Sequence, residues 1–120
     1  MKKCILVVDD DSMNLTRTQM ILGKEYVVLT EESGVDALTR LKSTKVDMVL
    51  LDIDMPGMNG IETFERMKEF AADIPVIFLT ASGAEDDVVS AIRLGAVNYL
   101  KKPFRMQELM KRVAQEFDAK

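Results

Sequence analysis

The sequence predicts an α/β domain: a doubly wound, five-stranded parallel sheet with helices on both faces. Short apolar runs alternate with segments of helical period, strand then helix, five times along the chain. The central runs are apolar without a break, as strands buried on both faces require. The 120 residues suit one domain, 1–120, with one core and no linker or low-complexity segment.

Each element follows in order. Lys3 to Val8 reads as the first strand. Met13 to Leu22 reads as a helix with Leu15, Gln19 and Leu22 on one face, Asp11 or Ser12 as its N-cap and Gly23 at its C-cap. Tyr26 to Leu29 is the second strand. Ser33 to Asp36 has the spacing of a capping box and opens a helix with the stripe Val35, Leu38 and Leu41. Met48 to Asp52 is the third strand, and the segment Met55-Pro56-Gly57-Met58-Asn59-Gly60 behind it is a loop. Ile61, Phe64 and Met67 line the third helix. Pro75 to Thr80 is the fourth strand, and a fourth helix runs from about Glu85 to Leu94 and ends at Gly95. Asn98 to Lys101 is the fifth strand. Met106, Leu109, Met110, Val113 and Phe117 form the clearest helical stripe, the fifth helix. The nine methionines read as core filler, and Cys4 as a small core residue.

Composition excludes several classes of chemistry. A single cysteine rules out an internal disulfide and any multi-cysteine zinc site. The absence of histidine removes Ser-His-Asp and Cys-His triads and histidine-ligated metals. A net charge of −4, from 16 basic and 20 acidic residues, argues against direct nucleic-acid binding by this domain. No apolar run approaches a membrane span, so no membrane partner is expected. The apolar stretch Ile5 to Val8 is too short for a signal peptide and lacks a small-residue cleavage site, so a cytoplasmic location is expected.

Ligands of such sheets bind outside the carboxyl ends of the strands. Strand one ends in Asp9, Asp10 and Asp11, and strand three in Asp52, with Asp54 close behind. Strand four ends in Thr80, Ala81 and Ser82, and strand five in Lys101, Lys102 and Pro103. Thr30, Glu31 and Glu32 end strand two, which belongs at the sheet edge. Taken singly, such an acid is a helix cap or a solvated turn, with Asp11 the clearest cap. Together, carboxylates without histidine or thiolate favour a hard cation such as Mg²⁺. A carboxylate beside it can attack phosphorus, while a lysine and a hydroxyl hold the phosphoryl oxygens. Two like charges about 4 Å apart repel by roughly 4 kcal/mol at an effective dielectric of 20, so the acids need a cation.

Four segments carry a resemblance: Ile5-Leu6-Val7-Val8-Asp9-Asp10-Asp11, Asp52 to Gly60, Pro75 to Ala81, and Tyr99-Leu100-Lys101-Lys102-Pro103-Phe104. In this order and spacing they closely resemble the receiver domain of bacterial two-component response regulators, over essentially the whole chain. The resemblance implies a flavodoxin-like fold with strand order 2-1-3-4-5. It implies that Asp52 is the phosphoacceptor, fed by a phosphohistidine on a sensor histidine kinase or phosphotransfer protein. Asp9, Asp10, Asp52 and the backbone carbonyl of Asp54 would bind Mg²⁺, or Mn²⁺ in its place. Thr80, the Ala81 backbone and Lys102 would hold the phosphoryl group. The Lys102-Pro103 bond would be cis and aim the lysine. Thr80 and Tyr99 would be switch residues. They would alter the face of helix four, strand five and helix five, which meets an output domain or downstream protein. Such a chain is a regulator, not a turnover enzyme, and is a monomer or a phosphorylation-dependent dimer.

Two departures and three competing readings stand beside this. Val97-Asn98 precedes Tyr99, where many DNA-binding members carry two acids that bridge a dimer; Glu108 and Arg112 resemble remnants of that network. Asp54 and Ser82 fall at positions that tune phosphoryl lifetime in the family. Asp52-Ile53-Asp54 also resembles the nucleophile of haloacid dehalogenase phosphatases, but it ends the third strand rather than the first, and Asp9 and Asp10 precede it. A flavodoxin-like cofactor domain needs a phosphate loop after strand one, where three acids stand instead. An unphosphorylated interaction module would not need the whole site set. Asp54→Asn is expected to change the rate of aspartyl-phosphate hydrolysis; an unchanged phosphoryl lifetime and Mg²⁺ affinity would refute a role for its side chain.

Overall fold

The computed structural model describes residues 2–80, 93, 95, 96 and 98–118. The elements are β1 (Cys4–Val8), α1 (Ser12–Leu22), β2 (Val27–Glu31), α2 (Gly34–Ser43), β3 (Met48–Asp52), α3 (Gly60–Met67), β4 (Val76–Thr80), β5 (Asn98–Lys101) and a C-terminal helix, Met106–Asp118. The strands form one parallel sheet in the order β2-β1-β3-β4-β5. The fourth helix expected over about residues 85–94 falls, Arg93 apart, outside the described residues, as do Ala81 and Ser82.

Strand periodicity builds two cores from one sheet, because successive side chains point to opposite faces. On one face Leu6 and Val8, Val49 and Leu51, and Phe78 pack with Ala37 and Leu41 of α2 and Phe64 and Met67 of α3. On the other, Ile5 and Val7, Met48 and Leu50, and Ile77 and Leu79 pack with Leu15 and Leu22 of α1 and Leu109 and Val113 of the C-terminal helix. Every residue of β3 and β4 is buried, which explains the unbroken apolar runs.

Helix ends follow local chemistry. The Asp11 carboxylate accepts from the backbone N–H groups of Met13 and Asn14 and caps α1. The Ser33 hydroxyl caps α2 by accepting from Asp36 N–H, and the Asp36 side chain does not return the bond. The full capping box is at α3, where Asn59 and Glu62 each accept from the other's backbone.

Several faces differ from the expectation. In α1 the buried positions are Leu15, Thr18 and Leu22, while Gln19 faces water; a threonine in the stripe carries no apolar signal. In α2 the buried residues are Gly34, Ala37 and Leu41, and Val35 is 57% exposed. Gly34 lies so close to α3 that a Cβ there would meet the Thr63 hydroxyl and Met58. That approach turns the glycine inward and Val35 outward. The methionines divide: Met48, Met55 and Met67 are core, whereas Met13, Met20 and Met106 are exposed. β2 extends past Leu29 because β1 continues to pair with it as far as Val8 opposite Glu31.

The turn after β3 closes tightly. Gly60 N–H donates to the Ile53 carbonyl at 3.0 Å, and a Cβ on Gly60 would strike the backbone carbonyl of Asp52. Gly60→Ala is therefore expected to lower stability by about 1–3 kcal/mol through forced displacement of backbone. Urea unfolding of the two proteins tests this, and equal midpoints would refute it.

Candidate functional site

Parallel pairing carries four strand ends to one edge of the sheet. Asp9 follows β1, and its N–H extends the ladder to the Glu31 carbonyl at 3.2 Å. Asp52 ends β3, the neighbour of β1. Thr80 ends β4 opposite Lys101, and Lys102 N–H donates to the Thr80 carbonyl at 2.7 Å. Asp9, Asp52 and Thr80 are buried, and Asp10 is exposed. The peptide bond between Lys102 and Pro103 is cis.

Carboxylate oxygens of Asp9, Asp10 and Asp52 lie within 4.8 Å of one another. Lys102 Nζ donates to Asp9 Oδ2 at 2.7 Å and lies 3.4 Å from Asp52 Oδ2. The remaining oxygens have backbone donors. Asp11 N–H donates to Asp9 Oδ1 at 3.0 Å, and Asp54 N–H to Asp52 Oδ1 at 3.3 Å. These bonds orient the two buried acids before any ligand arrives.

Burial pushes the Asp52 carboxyl up to about 6, with the Asp9 charge adding to it, against the lowering by Lys102 and the Asp54 N–H. Burial pulls the Lys102 ammonium down, but its hydrogen bond to Asp9 and the charges of Asp52 and Asp9 outweigh that and hold it above its ordinary value. At pH 7 the site is thus an ionised carboxylate beside a fixed ammonium. An all-oxygen donor set of this kind suits a hard divalent cation.

The other expected residues are placed as follows. Asp54 is exposed, with its backbone N–H engaged on Asp52. Tyr99 is 41% exposed, on β5 opposite Phe78. Asn98, of the Val97-Asn98 pair that stands in place of two acids, accepts from Arg112 Nη1 at 2.7 Å and is tied within the chain; Val97 lies outside the described residues. Ala81 and Ser82 lie outside the described residues. Two features escaped the sequence reading. The capping box Asn59…Glu62, which starts α3 directly behind Asp52, was legible as Asn-x-x-Glu before an apolar stripe. The contact of Arg17 with Phe104 joins residues 87 positions apart and has no local signal.

Comparison with known proteins agrees with this arrangement. Residues 5–114 match the response regulator receiver domain, and the chain belongs to that family. It is a receiver domain of the response regulators of two-component signalling, a family that works with histidine kinases and output domains. Transcriptional regulatory protein ZraR of Klebsiella oxytoca is 42% identical over 106 residues, 88% of this chain and 24% of that protein. Response regulator SaeR of Staphylococcus aureus is 41% identical over 110 residues, 91% of this chain and 48% of that protein. The chain therefore spans half or less of the length of these relatives. Among solved structures, a CheY-like receiver domain protein from Methanospirillum hungatei superposes with a TM-score of 0.95 at 27% identity, covering 99% of this chain and 96% of that one. Chemotaxis protein CheY4 of Vibrio cholerae gives 0.89 at 26% identity, covering 96% and 98%.

The raised carboxyl has a consequence for stability. A folded value near 6 against an ordinary 3.8 means that ionising Asp52 costs the native state more than the unfolded chain. Its contribution is fully present below about pH 4 and is lost as pH rises through about 6. With divalent ions chelated, Asp52→Asn should stabilise the protein by about 1–3 kcal/mol at pH 7 and by almost nothing below about pH 4. Denaturant titration at both pH values checks this; a destabilised variant at pH 7 would contradict it.

Proposed function

We propose that Asp52 accepts a phosphoryl group from a phosphohistidine on a sensor histidine kinase or phosphotransfer protein. The observation that carries this is the Lys102 ammonium set between two buried carboxylates, Asp9 and Asp52, with Asp10 beside them. An Asp52 oxygen attacks phosphorus, the P–N bond of the donor breaks, and an acyl phosphate forms on this chain. Asp9, Asp10, Asp52 and the Asp54 backbone carbonyl would hold Mg²⁺ or Mn²⁺. When bound, such an ion supplies positive charge against the phosphoryl oxygens. Lys102 supplies a second cation, and the Thr80 hydroxyl and Ala81 backbone supply hydrogen-bond donors.

The same geometry supports a reading of the output. Thr80 ends the strand next to β5, and Tyr99 stands half-exposed on β5. Movement of Thr80 toward a phosphoryl group would shift Tyr99 and change the surface that β5 and the C-terminal helix offer to an output domain or downstream protein. Asp54 and Ser82 would set the phosphoryl lifetime, Asp54 from its exposed place beside the acceptor. The chain acts as a single regulatory domain, monomeric or dimeric on phosphorylation. It catalyses only its own phosphorylation and slow dephosphorylation, so a small phosphate ester should show almost no turnover.

Intact mass after incubation with Mg²⁺ and acetyl phosphate tests the reading. The wild type is expected to gain one phosphoryl group, dependent on Mg²⁺, and Asp52→Ala none. An unlabelled wild type, or a labelled Asp52→Ala, would overturn it.

A further inference from the structure

Arg17 lies on the exposed side of α1 and reaches across to the segment that carries Lys102. That segment, Lys102-Pro103-Phe104-Arg105, joins β5 to the C-terminal helix. Its first residue is tied by the Lys102 N–H bond to Thr80, and its last by the Arg105 carbonyl, which accepts from Leu109 N–H at 3.1 Å. Between these ties Pro103 has no N–H to offer. The Phe104 carbonyl accepts from Arg17 Nη2 at 2.9 Å, and the guanidinium carbon stands 5.4 Å from the centre of the Phe104 ring. A cavity of about 340 Å³ has Asp9, Asn14 and Thr18 on one side and Lys102, Pro103 and Phe104 on the other, with Arg17 also in its wall. Phe104 is buried in the same core cluster as Leu15 of α1, and Arg17 closes over its carbonyl and ring at the edge of the cavity.

We propose that Arg17 is a positioning residue for Lys102: by gripping the Phe104 carbonyl and ring it fixes the course of the segment that carries the lysine. It thereby holds the ammonium on Asp9 and Asp52. This rests on the acceptor reading above. Asp9 and Asp52 keep their own supports in the Asp11 and Asp54 N–H groups, so the cation-binding carboxylates do not depend on Arg17. The lysine is held at its N–H by the Thr80 carbonyl, but beyond that tie its direction follows the segment that Arg17 grips two residues on. A misplacement of about an ångström at a reacting centre can cost up to about a hundredfold in rate. The planar guanidinium donates to a carbonyl and lies over a ring at once, which an ammonium cannot do.

The test compares wild type, Arg17→Ala and Arg17→Lys with two readouts. One is the rate of phosphorylation by acetyl phosphate at saturating Mg²⁺, followed by intact mass. The other is Mg²⁺ binding by calorimetry. Acetyl phosphate needs no protein interface, so a slower rate cannot come from lost docking of a kinase. Arg17→Ala is expected to be about tenfold slower, with Mg²⁺ affinity no lower than that of the wild type. Arg17→Lys, which keeps the charge, should be as slow as Arg17→Ala. A wild-type rate in Arg17→Ala overturns the proposal. So does a wild-type rate in Arg17→Lys, which would make charge rather than grip the cause, or a matching loss of Mg²⁺ affinity, which would mean general loosening. If the wild type takes no phosphoryl group, the acceptor reading fails and this role fails with it; if it does and the variants match it, only this role fails.

Discussion

Asp9 and Asp52 bury two carboxylates side by side at the edge of a parallel sheet, and the ammonium of Lys102 is what offsets their repulsion. Much of the local structure serves this arrangement. The two backbone N–H groups two residues beyond each acid occupy the oxygens that Lys102 leaves open. The β4–β5 ladder continues one step past the sheet to seat Lys102, whose side chain then crosses the end of β4 to reach β3 and β1. The compensation is incomplete, since burial still holds the Asp52 carboxyl well above its ordinary value. A site built this way gives up stability for an ionised oxygen with little water around it, and favours any added cation.

Sheet order decides which residues meet. Because β1 and β3 are neighbours, acids more than forty residues apart become adjacent, while Thr30, Glu31 and Glu32 are carried to the far edge. There Glu31 pairs with Arg40 of α2 at 2.8 Å instead of joining the site. The same order puts Tyr99 on the opposite edge strand, with β4 and its terminal Thr80 between it and the strand that ends in Asp52. Any signal from the acid cluster to that edge has β4 as its shortest route.

How much could be read without coordinates varied with the kind of residue. Strands β3 and β5 were legible to the residue, β3 because its apolar run ends sharply at Asp52 and β5 because polar Asn98 and Lys101 bracket Tyr99-Leu100. The helix faces were less so. Val35 looked like core but faces water, and Gly34 and Thr18 are buried without an apolar side chain to announce it. Close approach to α3 selects glycine at position 34, Thr18 is polar, and hydrophobic periodicity registers neither. The exposed Met13, Met20 and Met106 are the converse, apolar residues without a core to fill.

The sequence by itself determined the layer architecture, the chemistry available at the strand ends and the family, because period, burial on both faces and residue type are local properties of the chain. Only the tertiary structure decided that the lysine pairs with Asp9 more closely than with Asp52, that Asp10 stays in water, and that Arg17 holds the loop behind the lysine. Those outcomes depend on distances between segments tens of residues apart. Such distances are set by how the strands twist and how the helices rest on them, and no local pattern encodes them.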